Sequence, residues 1–150
     1  MVIKRTFYES QQRNPHLLKS VSEGYQSQLG LLSKDENLSA LEGTILSFLR
    51  YKEGLDAPSD IVRLLHLSKG DVSMAVTHLE KAGYLSKTKD PEDKRKQHLT
   101  LEKQADPYLQ KVDHMRQHYF AQVFQGFDGN DIATFKHLLE RISTNVSTHH

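Results

Sequence analysis

The sequence predicts a mainly α-helical chain that carries one small β-hairpin, an α+β fold. Three observations predict it. Apolar residues recur at three- and four-residue steps in several long segments. Two short β-like segments, Tyr84-Leu85-Ser86-Lys87 and Gln97-His98-Leu99-Thr100-Leu101, flank a charged stretch, Asp90-Pro91-Glu92-Asp93-Lys94-Arg95-Lys96. A helix signal ending in Leu79-Glu80-Lys81-Ala82-Gly83-Tyr84-Leu85 leads into that hairpin. Helix, strand, charged hairpin, strand is the order of a winged helix-turn-helix.

The elements follow in order. A first helix is expected from about Gln11 to Leu32, with Leu17, Leu18, Val21, Tyr25, Leu29 and Leu32 on one face and Pro15 in its first turn. A polar loop, Ser33 to Asn37, separates it from a second helix. Ser39 caps that helix and Glu42 completes a capping box. Leu41, Ile45, Phe48 and Leu49 share its inner face, and Glu53-Gly54 stops it. A short third helix opens on Pro58 and buries Ile61, Leu64 and Leu65.

Ser68 caps a fourth helix, with Asp71 at its third position. Val72, Ala75, Val76 and Leu79 point inward. The opposite face carries Lys69, Gly70, Ser73, Met74, Thr77 and, at its edge, His78. Small polar side chains let a backbone approach a groove wall and hydrogen-bond base edges. After the hairpin, a long helix is expected from about Glu102 to Gln125, with Leu109, Val112, Met115, Tyr119, Phe120, Val123 and Phe124 as its apolar positions. Gly126 to Asn130 breaks it. A last helix, capped by Asp128 or Asp131, carries Ile132, Phe135, Leu138, Leu139, Ile142 and Val146.

Net charge is only +1 over 150 residues, but it is unevenly placed. Lys81 to Lys96 holds six basic and three acidic residues, a local excess of +3 that leaves −2 for the remainder. Gathered positive charge suits contact with nucleic acid; a solvated charged hairpin is the plainer alternative. Cysteine is absent, which excludes disulfides, thiol nucleophiles and cysteine-ligated metals and fits a reducing, cytoplasmic setting. No run of about 18 apolar residues could span a membrane, and the N-terminus lacks an apolar stretch of signal-peptide length. Nor is there a Gly-rich phosphate loop or a His-Glu metal-hydrolase motif. The hairpin acids Asp90, Glu92 and Asp93 sit where water would keep them ordinary, so no enzyme and no cofactor are expected.

This arrangement resembles the multiple-antibiotic-resistance regulator (MarR) family of winged-helix regulators over about residues 8–147. The matching residues are Leu38-Ser39-Ala40-Leu41-Glu42, Leu67-Ser68-Lys69-Gly70-Asp71-Val72, the Leu79–Leu85 run, and Asp90-Pro91-Glu92-Asp93-Lys94-Arg95. Leu101-Glu102 and Ala105 depart from the family's Leu-Thr and Gly at the start of the long helix, where Thr100 stands near enough to replace the missing cap.

The resemblance implies a DNA-binding core over 38–101, flanked by dimerisation helices over 8–33 and 102–147. It implies that the Ser68–Gly83 helix lies in a major groove, that Arg95 enters the minor groove, and that Asp93 orients Arg95 by an ion pair. The DNA-facing candidates are then Ser68, Lys69, Ser73, Thr77, His78, Lys87, Lys89, Asp93, Lys94, Arg95 and Lys96. Of these, Ser68 can be simply a cap, and the lysines offer phosphate attraction rather than base reading. The expected partners are double-stranded DNA, a second copy of the chain and a small effector, but no membrane. An organic effector would lodge near Tyr25, Ile45 and Met115.

Three alternatives accompany a homodimeric repressor, one of them an activator or antirepressor of the same fold. His114 and His118, one turn apart, can chelate zinc if other ligands join them, with His16, Glu23 and Asp113 in range by sequence. The third is a winged-helix protein-interaction module that never binds DNA. His149 and His150 are either native or a tag remnant.

Overall fold

The computed structural model describes residues 17–147. Their contacts divide into two units, one up to Arg116 and one from Gln117 onward. The first unit opens with α1, Leu17–Asp35. Leu29 is fully buried, Tyr25 and Leu32 pack on the core, and Val21 is exposed. The expected stretch from Gln11 to His16, and the side chains of Leu17 and Leu18, lie outside the described residues. Asn37 ends the turn after α1 in the left-handed region, at φ 58, a conformation that asparagine tolerates well. Leu38 N–H then returns to Ser33 C=O at 2.8 Å, which closes the helix end.

Helix α2, Ala40–Tyr51, starts on the expected capping box. Glu42 N–H donates to Ser39 Oγ at 3.2 Å, and Ser39 N–H donates to Glu42 Oε2 at 2.7 Å. Two orphan N–H groups are thereby satisfied. Helices α1 and α2 cross at Gly43. A Cβ there would overlap Ser33 Oγ and the Tyr108 hydroxyl, which are themselves hydrogen-bonded at 2.9 Å. Glycine is required at this position by closeness rather than by backbone angle.

Helix α3, Pro58–Leu65, has proline at its first turn and Asp60 accepting the Ala57 N–H at 3.3 Å. Its expected buried stripe is narrower than the spacing suggested. Ile61 is fully buried, Leu65 is partly so, and Leu64 is exposed. Two turns of helix offer one deep contact to the core, and Ile61 takes it. Helix α4, Lys69–Lys81, is capped by Ser68 Oγ on Asp71 N–H at 3.1 Å. Gly83, at φ 81, lets the chain leave α4 for the hairpin.

Strands β1, Leu85–Lys89, and β2, Gln97–Leu101, pair antiparallel from Leu85 opposite Leu101 to Lys89 opposite Gln97. Alternation puts Leu85 and Leu99 in the core. Thr100 sits inside β2 opposite Ser86, so it is a strand residue and not a helix cap. A 3₁₀ turn, Lys103–Ala105, leads instead into α5, Asp106–Val123. This helix starts four residues later than expected because Glu102 makes no side-chain cap and the tighter turn takes its place. Tyr108, Leu109 and Val112 close the core against Ile45, Leu46, Val76 and Leu79.

The second unit takes up α5 at Gln117 and adds α6, Gly129–Ser147. Gly126, at φ 84, makes the turn between them. Asp128 and Asp131 cap α6 together. Asp128 Oδ1 accepts N–H groups from Asn130 and Asp131 at 2.8 and 2.9 Å, and Asp131 Oδ2 accepts the Asp128 N–H at 3.1 Å. Phe124 stands at the centre of an aromatic group, 6.3 Å from Phe120, 5.8 Å from Phe127 and 5.6 Å from Phe135 between ring centroids. Ile132, Phe135, Leu138, Leu139, Ile142 and Val146 form one exposed stripe along α6, whereas Tyr119 is buried. Among the described residues, no helix is long and apolar enough to cross a membrane.

Candidate nucleic-acid interface

A cleft of about 660 Å³ lies between α4, the hairpin and the stretch 54–62, which runs from the α2–α3 loop into α3. Lys69 and Ser73 enter it from α4, Lys87 from β1, and Arg95 and Lys96 from the hairpin turn. The inner face of α4 buries Val72, Ala75, Val76 and Leu79, which leaves Lys69, Ser73, Met74, Thr77 and His78 outside. Met74, at 72% exposure, is the long apolar exception on that face.

Several of these side chains already have partners. Ser68 accepts the Asp71 N–H and donates to Asp71 Oδ2 at 2.6 Å, so its hydroxyl belongs to the cap. Thr77 Oγ1 donates to Ser73 C=O at 2.8 Å, as threonines in helices do. Lys87 Nζ reaches Glu80 at 2.7 Å and Thr77 at 3.4 Å. It therefore braces the hairpin to α4 instead of standing free for phosphate. Lys89, Lys94, Arg95 and Lys96 are exposed and make no ion pair among the described residues.

The hairpin turn is built by carboxylates on main-chain N–H groups. Asp90 Oδ1 accepts from Glu92 and Asp93, both at 2.8 Å, and Asp93 Oδ1 accepts from Arg95 at 3.1 Å. Asp93 thus shapes the backbone under Arg95. The expected ion pair between the two side chains is absent among the described residues. The guanidinium projects from a fixed turn with its donors uncommitted.

Two polar links were not visible in the sequence. His78 Nδ1 meets Glu42 Oε1, although Glu42 is only 5% exposed. Burial works to raise the Glu42 carboxyl. The Ser39 N–H and His78 outweigh it and hold the group below its ordinary range. One residue therefore caps α2 and steadies an imidazole on α4. The second link is His98. Its Nδ1 lies 2.7 Å from Asp56 Oδ1 and its Nε2 lies 2.8 Å from Asp90 Oδ2. His98 and the two turn N–H groups hold the Asp90 carboxyl down at about 2. Asp90 and then Asp56 push the His98 imidazole up. Asp56 is 42 positions from His98, and no local pattern joins them.

The residues expected for an effector lie on one core, and the two histidines expected for a metal lie on α5. Ile45 is fully buried, and Tyr25 and Met115 are partly buried against the same core, so Ile45 has no surface to offer. His114 and His118 are both exposed on α5. Among the described residues no three metal-binding side chains come together. Glu23 pairs with Lys19 at 3.1 Å, and Asp113 accepts from Tyr51 and faces Arg50 at 3.6 Å. His16, His149 and His150 lie outside the described residues.

A family model described as the MarR family matches residues 36–96, which covers α2 through the hairpin turn. Among curated proteins, an uncharacterized HTH-type transcriptional regulator of Bacillus subtilis (strain 168), YkoM, is 28% identical over 99 residues. That match spans 66% of this chain and 64% of the relative's own length. Among solved structures, a MarR transcriptional regulator from Methanosarcina mazei Go1 superposes with a TM-score of 0.75 at 16% identity, covering 93% of this chain and 99% of that one. A putative MarR family regulator from Listeria monocytogenes, solved with a 26mer DNA, gives a TM-score of 0.73 at 16% identity, covering 88% of this chain and 87% of that one.

Proposed function

We propose, from the premise that this chain belongs to the MarR family, that it is a homodimeric transcriptional regulator that binds double-stranded DNA in the cytoplasm. The observation that carries this reading is the shared cleft. Lys69 and Ser73 of the polar helix face and the exposed basic turn border it, opposite the 54–62 stretch, with the Arg95 guanidinium uncommitted. Helix α4 docks in a major groove, and Arg95 enters the adjacent minor groove, where an electronegative, narrow channel favours a guanidinium. Ser73, Thr77 and His78 face the bases, while Lys69, Lys89, Lys94 and Lys96 contribute screened attraction to phosphate. The structural neighbour from Listeria monocytogenes was solved with a 26mer DNA, which supports DNA as the partner. The exposed stripe on α6 supports self-association, and two-fold symmetry then calls for half-sites about one helical turn, roughly 34 Å, apart. Repression relieved by a small effector is the mode of control proposed here.

The test is affinity for a duplex that the wild-type chain enriches from a random-sequence pool. Binding weakens steeply with salt, and Arg95→Ala costs about 1–3 kcal/mol of affinity while its circular dichroism stays unchanged. Equal affinity for Arg95→Ala and wild type would remove Arg95 from the interface. A chain that enriches no duplex would leave the protein-interaction reading in its place.

A further inference from the structure

We propose that His98 is a positioning residue for DNA binding. As an imidazolium it ties the root of the wing to the loop ahead of α3, and so fixes the turn that presents Arg95. The inference rests on the DNA-binding reading for its consequence, whereas the tie itself belongs to the free chain.

The chemistry follows from counting donors. The carboxylates of Asp56 and Asp90 only accept hydrogen bonds. His98 meets one with Nδ1 at 2.7 Å and the other with Nε2 at 2.8 Å. A neutral imidazole has a single N–H and can serve one of them. Both bonds together require the doubly protonated ring.

The two anchors belong to different parts of the core. Asp56 lies in the loop between α2 and α3, and its C=O also accepts the Leu99 N–H at 2.9 Å. Strand β2 is thus joined to that loop at two successive residues. Asp90 directly follows β1, and its other oxygen is held by the turn N–H groups of Glu92 and Asp93. The ring therefore links the helix-turn-helix to the turn through a carboxylate on each side, the Asp90 one being held in turn by main-chain N–H groups.

The charges around it set the balance. Asp60, Lys69, Lys87, Arg95 and Lys96 line the cleft beside His98. Four of these five are cations and oppose a further positive charge. The imidazolium persists because Asp56 and Asp90 are in direct contact with it, and the ring titrates above its ordinary range. Above that pH one N–H is lost, one carboxylate loses its partner, and the wing root is held from one side only. A wing that must be ordered on binding contributes less affinity than one already in place.

Proton NMR of the His98 Cε1–H in the free chain reads the tie directly. His98 titrates above 6.5 in the wild type, and Asp56→Asn moves it down. A His98 that titrates at or below that value would overturn the tie. Its consequence is read with the enriched duplex across about pH 5.5–8.5 at constant ionic strength. Wild-type affinity falls about three- to tenfold as His98 deprotonates. In His98→Gln this component is missing, and affinity stays at the weak end at every pH. Asp56→Asn, whose amide accepts from the charged ring and donates to the neutral one, should hold the strong end at every pH, which keeps the test open should His98→Gln fail to fold. A His98→Gln chain with wild-type affinity and profile would refute the positioning role. If the wild type enriches no duplex, the DNA-binding reading falls and the positioning role with it, while the NMR titration still judges the tie.

Discussion

The two units of this chain treat their apolar residues in opposite ways. In the first, Ile45, Leu46, Ile61, Val76, Leu79 and Val112 are buried to 2% exposure or less, from four helices spread along the sequence. Even its buried hydroxyls are paired, Ser33 with Tyr108, and no buried side-chain nitrogen or oxygen among the described residues lacks a partner. In the second, α6 leaves Phe135, Leu138, Leu139 and Ile142 between 42% and 57% exposed. One unit is a finished core with a polar working face. The other has the pattern of half a core, since an apolar stripe of that length in water marks a surface meant to be covered.

The contrast can be broken most severely at Gly43. Replacing a mid-helix glycine with alanine ordinarily gains roughly 1 kcal/mol through helix propensity. Here the added methyl must displace Ser33 and Tyr108, both fully buried, so overpacking should dominate. Gly43→Ala should lose about 1–3 kcal/mol in urea unfolding. A more stable variant would show that α1 and α2 can separate without cost.

The second unit predicts the reverse sensitivity. Leu139→Ser with Ile142→Ser changes two exposed positions of α6 and should leave the unfolding of the first unit nearly unchanged. Self-association should weaken at least tenfold, about 1.4 kcal/mol, in sedimentation across micromolar concentrations. An unaltered sedimentation profile would assign the α6 stripe to some other partner.

The smallest effect sharpens the comparison within the first unit, by pH. The Asp90 carboxyl is depressed, so its contribution to stability is present above its ordinary 3.8 and is lost as pH falls towards about 2. His98 is raised, so its contribution is complete below 6.5 and is lost as pH rises through its higher folded value. Thermal stability should therefore pass through a shallow plateau between about 4 and 6.5 that flattens in His98→Gln. An identical pH curve for variant and wild type would remove His98 from the stability of the hairpin.

Much of the architecture was legible from local rules. Ser39 with Glu42, Ser68 with Asp71, and Asp128 with Asp131 marked three helix starts correctly, because a cap is chemistry between residues three apart. The inward face of α4 and the hairpin strands followed from periodicities of 3.6 and 2. The basic turn that suggests DNA was likewise readable as charge density along the chain. The start of α5 was not legible, because Thr100 is held in the sheet by β1, a partner that local spacing does not reveal. Leu64 was placed inside by spacing and stands outside, because two turns of helix meet the core at one point.

The sequence by itself determined the element order, the apolar faces, the capping of three helices and the basic hairpin between two strands. All of these depend on neighbours within one helical turn or one strand alternation. Tertiary structure alone decided which polar groups are spent and which are left to act. The Lys87 and Ser68 side chains are engaged within the fold, while among the described residues the Arg95 guanidinium is not. His78 is steadied by a buried Glu42 from another helix, and His98 is gripped by Asp56 and Asp90. The reason is geometric. Hydrogen bonds and ion pairs act over about 3 Å, and only folding brings residues 36 or 42 positions apart within that reach.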